Sequence, residues 1–119
     1  MQKVYLDHAA TTPLFPEVAD AMCEYLRTCF GNPSSLHTYG QEAKAYLKQA
    51  HLDAAALINA PAEDVFFTGG GTESDNLAIL GSAALTEKRH VITSAVEHHA
   101  VLDACEHLAR TGFDLTVLE

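Results

Sequence analysis

The sequence predicts an α/β fold, and three observations over its second half lead to that prediction. Short β-prone runs alternate with segments of helical periodicity, the first run ends in three consecutive glycines, and the second ends in polar residues. Strands that alternate with helices form a sheet with right-handed helical crossovers. The expected architecture is therefore a layer of helices packed on a parallel sheet.

The composition is that of an ordinary globular protein. The 119 residues are 48% hydrophobic and 19% charged, which excludes intrinsic disorder, and the length suits one domain. Lys and Arg number 7 against 16 acidic residues, so neither nucleic acid nor an anionic membrane is expected as a partner. The sequence contains no apolar run long enough to span a membrane and no signal-peptide pattern, so a cytoplasmic location is expected.

The first half of the chain is predicted to hold an N-terminal arm, residues 1–15, and then two helices within residues 16–60. The arm includes a short strand candidate at residues 4–6. Pro16 suits the first turn of a helix, and Gly31 is expected to end that helix. An Asn-Pro-Ser-Ser loop follows, and the second helix is expected to end near an asparagine that precedes a proline.

Residues 61–119 are predicted to form a β-α-β-α-β unit with a glycine loop. Gly112 suits the position just past the end of the last helix. Because helices normally cover both faces of a parallel sheet, the whole of residues 1–119 is expected to form a single but incomplete α/β domain. The strands are predicted at residues 65–68, 90–94 and 113–118.

The cysteines do not indicate a disulfide framework. Their number is odd, and no C-x-x-C pair occurs. Cys23, Cys29 and Cys105 all fall within apolar segments of predicted helices, so they are expected to be small buried hydrophobic residues.

The junction from Thr68 to Ser74 lies between a predicted strand and a predicted helix, and it is a candidate anion site. Glycines let the backbone approach a ligand closely. The first N–H groups of the following helix point outward, and the helix dipole favours a negative charge there, so a phosphate fits this position. The alternative is a plain glycine turn in which the side chain of Thr72 or Ser74 caps the helix.

The pattern at this junction narrows the choice of phosphate ligand. No lysine follows the glycines, which excludes the P-loop of nucleoside triphosphate enzymes. Gly69-x-Gly71-x-x-Ser74 partly matches a dinucleotide fingerprint. That fingerprint also needs an acidic residue at the end of the next strand, where Thr93 and Ser94 stand instead.

A second polar cluster, Glu97-His98-His99, follows the strand predicted at residues 90–94. The carboxyl ends of parallel strands meet at one edge of the sheet, where ligands bind, so these histidines are expected to face the same crevice as the glycine loop. His98 could stack on an aromatic ligand, transfer protons or bind a metal. Adjacent histidines share one ion with difficulty and no H-E-x-x-H is present, so no metal is expected. The alternative to a ligand-binding role is that His98 and His99 only cap the helix that follows.

Four motifs in chain order resemble those of the cysteine desulfurases, which are pyridoxal 5'-phosphate (PLP) enzymes of the class V aminotransferase group. The resemblance implies that the chain is the N-terminal part of the large domain of a fold-type I PLP enzyme, with helices packed on a mainly parallel sheet. The motifs are YLDHAATTP at residues 5–13, GNPSSLH at 31–37, FTGGGTESDNLA at 67–78 and EHHAVL at 97–102.

The resemblance also implies roles for individual residues. Gly71 and Thr72 correspond to the residues that bind the cofactor phosphate. His98 corresponds to the catalytic histidine that stacks on the cofactor ring and assists proton transfer. The positions that correspond to the substrate side of the pocket are Ala9, Ala10, Asn32 and His37.

Cysteine desulfurases take sulfur from L-cysteine, leave alanine, and pass the sulfur as an enzyme persulfide to an acceptor or iron–sulfur scaffold protein. The resemblance implies these partners, and also a homodimer, because the family builds its active site at a dimer interface. The family's Schiff-base lysine and persulfide cysteine have no match here, so the chain alone is expected to be inactive. The lysines present are Lys3, Lys44, Lys48 and Lys88.

One departure from the family concerns the glycine loop. Gly70-Gly71 replaces a more usual Gly-Ala pair, which makes the loop more flexible without removing a hydrogen-bond donor. Two other functions stay open at this point. One is a non-catalytic module that keeps a PLP or phosphate site or serves as an assembly surface, and the other is a dinucleotide-binding domain.

Overall fold

The computed structural model describes residues 3–119, which fall into two compact units divided between Val65 and Phe66. Residues 1 and 2 of the predicted N-terminal arm lie outside the described residues. The first unit contains helices and the second contains a parallel sheet with helices. The single incomplete domain expected over residues 1–119 stays a prediction.

The first unit confirms the two predicted helices. Helix α1 spans Pro16–Thr28 and begins at the proline, whose fixed φ and missing N–H suit a first helical position. Helix α2 spans Thr38–Ile58 and ends at Asn59, which adopts the left-handed conformation with φ 53°. A short 3₁₀-helix, Ala62–Asp64, follows.

The N-terminal arm is not a strand, contrary to the prediction for residues 4–6. Within the described residues this segment pairs with no other strand. Instead, the Tyr5 hydroxyl lies 2.8 Å from the Asp7 carbonyl oxygen and 3.2 Å from that of Thr11. The arm is therefore a turn that is closed by local hydrogen bonds.

The prediction that Gly31 ends α1 is also wrong. The helix ends at Thr28, and Cys29 caps it with an N–H bond to the Tyr25 carbonyl. Gly31 is needed for a different reason, because a Cβ there would collide with the backbone carbonyl of Tyr39. That constraint is tertiary and leaves no local signal in the sequence.

The loop that follows α1 packs on the start of α2. Gly40 is buried, and a Cβ at that position would lie 2.7 Å from the Asn32 carbonyl oxygen and would collide with that of Ser35. The aromatic rings of Tyr25 and Tyr46 meet edge to face, with centroids 4.9 Å apart. Contacts between helix and loop and between the two tyrosines therefore connect the elements of this unit.

The second unit contains two helices and two strands in alternation. The strands are parallel and in register from His90↔Asp114 to Ser94↔Leu118. The two helices pack against each other, and the connection between the strands through the second helix confirms the predicted crossover. The elements are α3 at Gly71–Ala84, β1 at His90–Ser94, α4 at His99–Arg110 and β2 at Asp114–Leu118.

The first strand predicted for this half, at residues 65–68, is not formed. Val65 has an extended backbone, but among the described residues the sheet consists of β1 and β2 alone. A β-prone run becomes a strand only when another segment supplies the hydrogen-bond ladder. The segment therefore enters the glycine loop without regular secondary structure.

The end of α4 follows the prediction for Gly112. This residue has φ +102°, and its N–H donates to the Ala109 carbonyl at 3.2 Å, while the Phe113 N–H donates to that of Leu108 at 3.1 Å. These two bonds form a Schellman motif, in which glycine avoids the strain of a positive φ.

The cysteines confirm the prediction of burial in one case only. Cys105 is buried on the inner face of α4, whereas Cys29 is half-buried and Cys23 is exposed. The prediction fails for Cys23 because, within the described residues, α1 buries no side chain. No helix in the described part of the chain is long and apolar enough to cross a membrane.

Gly40→Ala and Gly81→Ala form a matched pair, because both glycines lie in helices. Alanine is favoured over glycine in a helix by about 0.5–1 kcal/mol. Gly81→Ala should stabilise the protein by about that amount, since its Cβ meets no atom within 4 Å. Gly40→Ala should instead destabilise it by about 1–3 kcal/mol, the usual effect of overpacking. Urea unfolding measures both, and equal stabilisation by the two substitutions would contradict the packing at Gly40.

Candidate functional site

Two side-chain contacts fold the glycine loop onto the first turn of α3. The Gly69 N–H donates to a carboxylate oxygen of Glu73 at 2.7 Å. The hydroxyls of Thr68 and Ser74 are hydrogen-bonded at 2.6 Å, and that of Thr68 also lies 3.2 Å from the Gly70 carbonyl oxygen. The loop therefore has a defined shape although it contains three consecutive glycines.

The N-terminus of α3 keeps its first N–H groups available. Gly70 occupies the N-cap position and provides no side-chain cap. The Ser74 N–H donates to the Gly70 carbonyl at 3.1 Å, whereas in the described part of the chain the N–H groups of Gly71 and Thr72 have no protein acceptor. The alternative in which Thr72 or Ser74 caps this helix is therefore wrong.

An open depression of about 620 Å³ lies over these N–H groups. A Cβ built on Gly70 or Gly71 would meet no atom within 4 Å, so the backbone borders open space. The unpaired N–H groups and the helix dipole together favour an anion in this depression, and a phosphate group of a cofactor fits that donor set. Its lining residues are Gly69, Gly70, Gly71, Thr72, Glu73 and Asn76.

His98 occupies the N-cap of α4. Its Nδ1 accepts a hydrogen bond from the Ala100 N–H at 3.0 Å, and its backbone is extended, with φ -64° and ψ 148°. Because Nδ1 uses its lone pair in this bond, the proton of the neutral ring lies on Nε2. His98 thus caps α4, and the Nε2–H of its exposed ring is left for a ligand.

Capping and ligand binding are compatible at His98, since the two ring nitrogens serve different partners. The side chain of His99 lies beside it, with ring centroids 6.4 Å apart in an edge orientation, but His99 is the first residue of α4 and does not cap it. The glycine loop and His98 belong to the same unit and begin helices that pack against each other.

The four residues predicted for the substrate side lie in the first unit. Ala9 and Ala10 are exposed in the turn of the N-terminal arm. Asn32 is exposed, and its side-chain oxygen accepts from the Ser34 N–H at 2.9 Å. His37 caps α2 through Nδ1, which accepts from the Gly40 N–H at 3.3 Å, so its Nε2 is presented outward in the same way as that of His98.

Sequence reasoning missed Glu73. It stands at the third position of α3, where a glutamate in a capping box reaches back to the N-terminal N–H groups. The spacing of Glu73 from Gly70 was the available signal, although the bond here goes one residue further, to Gly69. Among the described residues, no group of three or more His, Cys, Asp or Glu side chains could hold a metal ion.

The fold and the glycine loop agree with the family comparison. Residues 4–119 match the class-V aminotransferase family. The chain therefore belongs to the class-V aminotransferases, a family whose enzymes depend on PLP.

The particular relatives are cysteine desulfurases. The cysteine desulfurase IscS of Dictyoglomus turgidum is 50% identical over 119 residues, which cover 98% of this chain and 30% of the relative. The chain thus spans less than a third of the length of this curated relative.

Solved structures agree in sequence and in fold. The structure of SspA in complex with cysteine is 40% identical and superposes with a TM-score of 0.83 over 92% of this chain and 32% of its own. DndA from Streptomyces lividans is 44% identical, with a TM-score of 0.80 over 97% of this chain and 33% of its own. These likenesses confirm the predicted fold class, that of a part of a fold-type I PLP enzyme.

Substitutions at His98 separate its capping role from other roles. His98→Ala removes the acceptor of the Ala100 N–H and should destabilise the protein by about 1 kcal/mol, as is typical for a lost N-cap. His98→Asn should retain most of that stability, because the asparagine side-chain oxygen caps helices well. His99→Ala is the control, and urea unfolding is the measurement. Equal stability of wild type and His98→Ala would contradict the cap.

Proposed function

We propose that the chain is the N-terminal part of a PLP-dependent cysteine desulfurase, in which Gly71 and Thr72 bind the cofactor phosphate. The observation that carries this proposal is the pair of N–H groups at the start of α3 that have no protein acceptor in the described chain. The Thr72 hydroxyl lies on the same first turn and adds a donor. When bound, PLP supplies an electron sink for bonds to the substrate's α-carbon.

His98 is proposed to contact the cofactor ring and to transfer a proton. Its capped Nδ1 holds the ring at the start of α4 and leaves Nε2 as the nitrogen that gives or accepts a proton. A ring held by a backbone hydrogen bond loses little further freedom when a flat ligand stacks on it. This combination supports the assignment of His98 as the catalytic residue within the chain.

L-cysteine is the proposed substrate, with Ala9, Ala10, Asn32 and His37 on its side of the pocket. The solved structure of a relative, SspA, contains cysteine, and the chemistry of these positions suits a small zwitterion. Two alanines leave room for a small ligand, and the Nε2 of His37 is a polar group directed outward from a capped ring.

A homodimer and a sulfur-acceptor or iron–sulfur scaffold protein are the proposed protein partners. Large apolar side chains are widely exposed in the described residues, for example those of Leu36 at 92% and Leu57 at 88%. Such surfaces favour association with further polypeptide. A cytoplasmic location is also proposed, because the cysteines are free thiols and the cytosol keeps thiols reduced.

The 119 residues alone are proposed to lack desulfurase activity, because none of their four lysines corresponds to the family's Schiff-base lysine. Treatment of this chain with PLP and borohydride, followed by peptide mapping, should label lysines weakly and without preference. L-cysteine should give no alanine or sulfide under the same conditions. A single lysine labelled stoichiometrically, together with sulfide release, would contradict this proposal.

Thr72 and His98 should give different signatures in the full-length enzyme. Thr72→Ala removes a hydrogen bond to a charged group, which is worth about 1.5–3 kcal/mol or about 10- to 150-fold in PLP affinity. Turnover at saturating PLP should largely recover, because the phosphate is remote from the reacting carbon. His98→Asn should lower kcat by about 10²- to 10⁴-fold at saturating PLP, as is typical of a lost acid–base group.

The measurements for this prediction are a PLP titration by absorbance and steady-state alanine production. Thr72→Ser is the control, because it keeps the hydroxyl and should bind PLP as wild type does. Unchanged PLP affinity in Thr72→Ala would contradict the phosphate site. A normal kcat in His98→Asn would contradict the placement of His98 over the ring and would make His99 the candidate.

A further inference from the structure

The carboxylate of Glu73 ties the glycine loop to α3 by a contact that the proposed function does not use. Its oxygen accepts from the Gly69 N–H at 2.7 Å, although Gly69 precedes the N-cap residue Gly70 and lies outside the helix. This bond therefore spans the residues whose N–H groups are proposed to bind the phosphate.

The loop needs such a tie because its backbone is unusually free. Glycine loses more conformational entropy than any other residue when it is ordered, and Gly69, Gly70 and Gly71 are consecutive. At the N-cap, Gly70 has no side chain to fix the start of the helix. The bond between Gly69 and Glu73 closes the loop across these positions.

The negative charge of Glu73 and its hydrogen bond to the loop have opposite expected effects on phosphate binding. Glu73 is the one charged residue among those that line the depression, and a negative charge beside a bound phosphate opposes binding. The helix N-terminus stabilises that carboxylate when no ligand is present. Its charge alone would therefore weaken phosphate binding, whereas its hydrogen bond to the loop would strengthen it, and the two effects can be separated by substitution.

We propose that Glu73 is a positioning residue for the phosphate site, which orders the glycine loop so that the N–H groups of Gly71 and Thr72 are prepared for the anion. Ordering a binding loop before the ligand arrives increases affinity, because less entropy is lost on binding. This inference rests on the proposed function, since it requires that a phosphate binds at the start of α3.

Three variants of the full-length protein test the proposal. Glu73→Ala removes the acceptor and should weaken PLP binding about tenfold, the equivalent of about 1.4 kcal/mol. Glu73→Gln keeps a side-chain oxygen that can accept from Gly69 but carries no charge, so it should bind PLP at least as tightly as wild type. Asp75→Asn is the matched control, because it removes a charge two residues further along α3, and the described structure shows no hydrogen bond from that carboxylate to the loop.

Amide hydrogen exchange in the cofactor-free protein gives a readout that is independent of activity. Exchange over the peptide that contains Gly69 and Thr72 should accelerate in Glu73→Ala, while Glu73→Gln and Asp75→Asn exchange as wild type does. The kcat at saturating PLP should be unchanged in Asp75→Asn, whose side chain does not line the depression. Far-UV circular dichroism checks that Glu73→Ala is folded. If the alanine variant does not fold, the PLP affinity of Glu73→Gln still tests the proposal.

Two results would overturn this inference alone. One is PLP affinity in Glu73→Ala that equals or exceeds that of wild type, and the other is a loss in Glu73→Gln as large as that expected for Glu73→Ala. A wild-type protein that binds neither PLP nor inorganic phosphate overturns the proposed function, and this inference with it. If the wild-type protein binds PLP normally, a contrary result at Glu73 overturns only this inference and leaves the proposed function standing.

Discussion

Every helix begins with N–H groups that have no acceptor within the helix, and the candidate site depends on how this chain satisfies them. At α4 the ring of His98 accepts from the Ala100 N–H, and at α2 His37 does the same for Gly40. At α3 the N-cap residue is a glycine and no side chain caps it. The helix that follows the glycine loop is thus left with donors for a ligand.

In the two helices that a histidine caps, one residue has both a structural role as the cap and a chemical role as a polar group. A histidine at an N-cap fixes its own ring and tautomer through Nδ1, so the same contact that starts the helix also orients Nε2. At the glycine loop the roles are divided, because Gly71 and Thr72 offer donors while Glu73 and the Thr68–Ser74 pair hold the backbone. Helix α1 also lacks a side-chain cap, but its first residue, Pro16, carries no N–H. The first residues of α3 are Gly71 and Thr72, and both offer donors.

Features with local causes could be predicted from the sequence, and features with tertiary causes could not. Strand β1 and the left-handed Gly112 follow from a β-prone run and a helix-ending glycine, and both were predicted. The strand expected at residues 65–68 failed because pairing depends on a partner segment. Gly31 acts through a tertiary contact with Tyr39, which periodicity does not reveal. Glu73 was missed although its contact with Gly69 is local and its spacing from Gly70 was an available signal. The residue pattern predicted an anion site at the glycine loop and left several roles open for His98. Family resemblance narrowed these to the PLP phosphate at Gly71 and Thr72 and to the cofactor ring at His98.

A crystal structure of the full-length protein with bound PLP is the direct test of the phosphate site at the start of α3. Phosphate oxygens should lie at hydrogen-bond distance, about 2.7–3.2 Å, from the backbone nitrogens of Gly71 and Thr72, with the Thr72 hydroxyl on the same phosphate. The Glu73 carboxylate should still accept from the Gly69 N–H in that complex. A phosphate bound elsewhere, with the Gly71 and Thr72 N–H groups facing only water, would contradict the assignment of this helix end as the phosphate site.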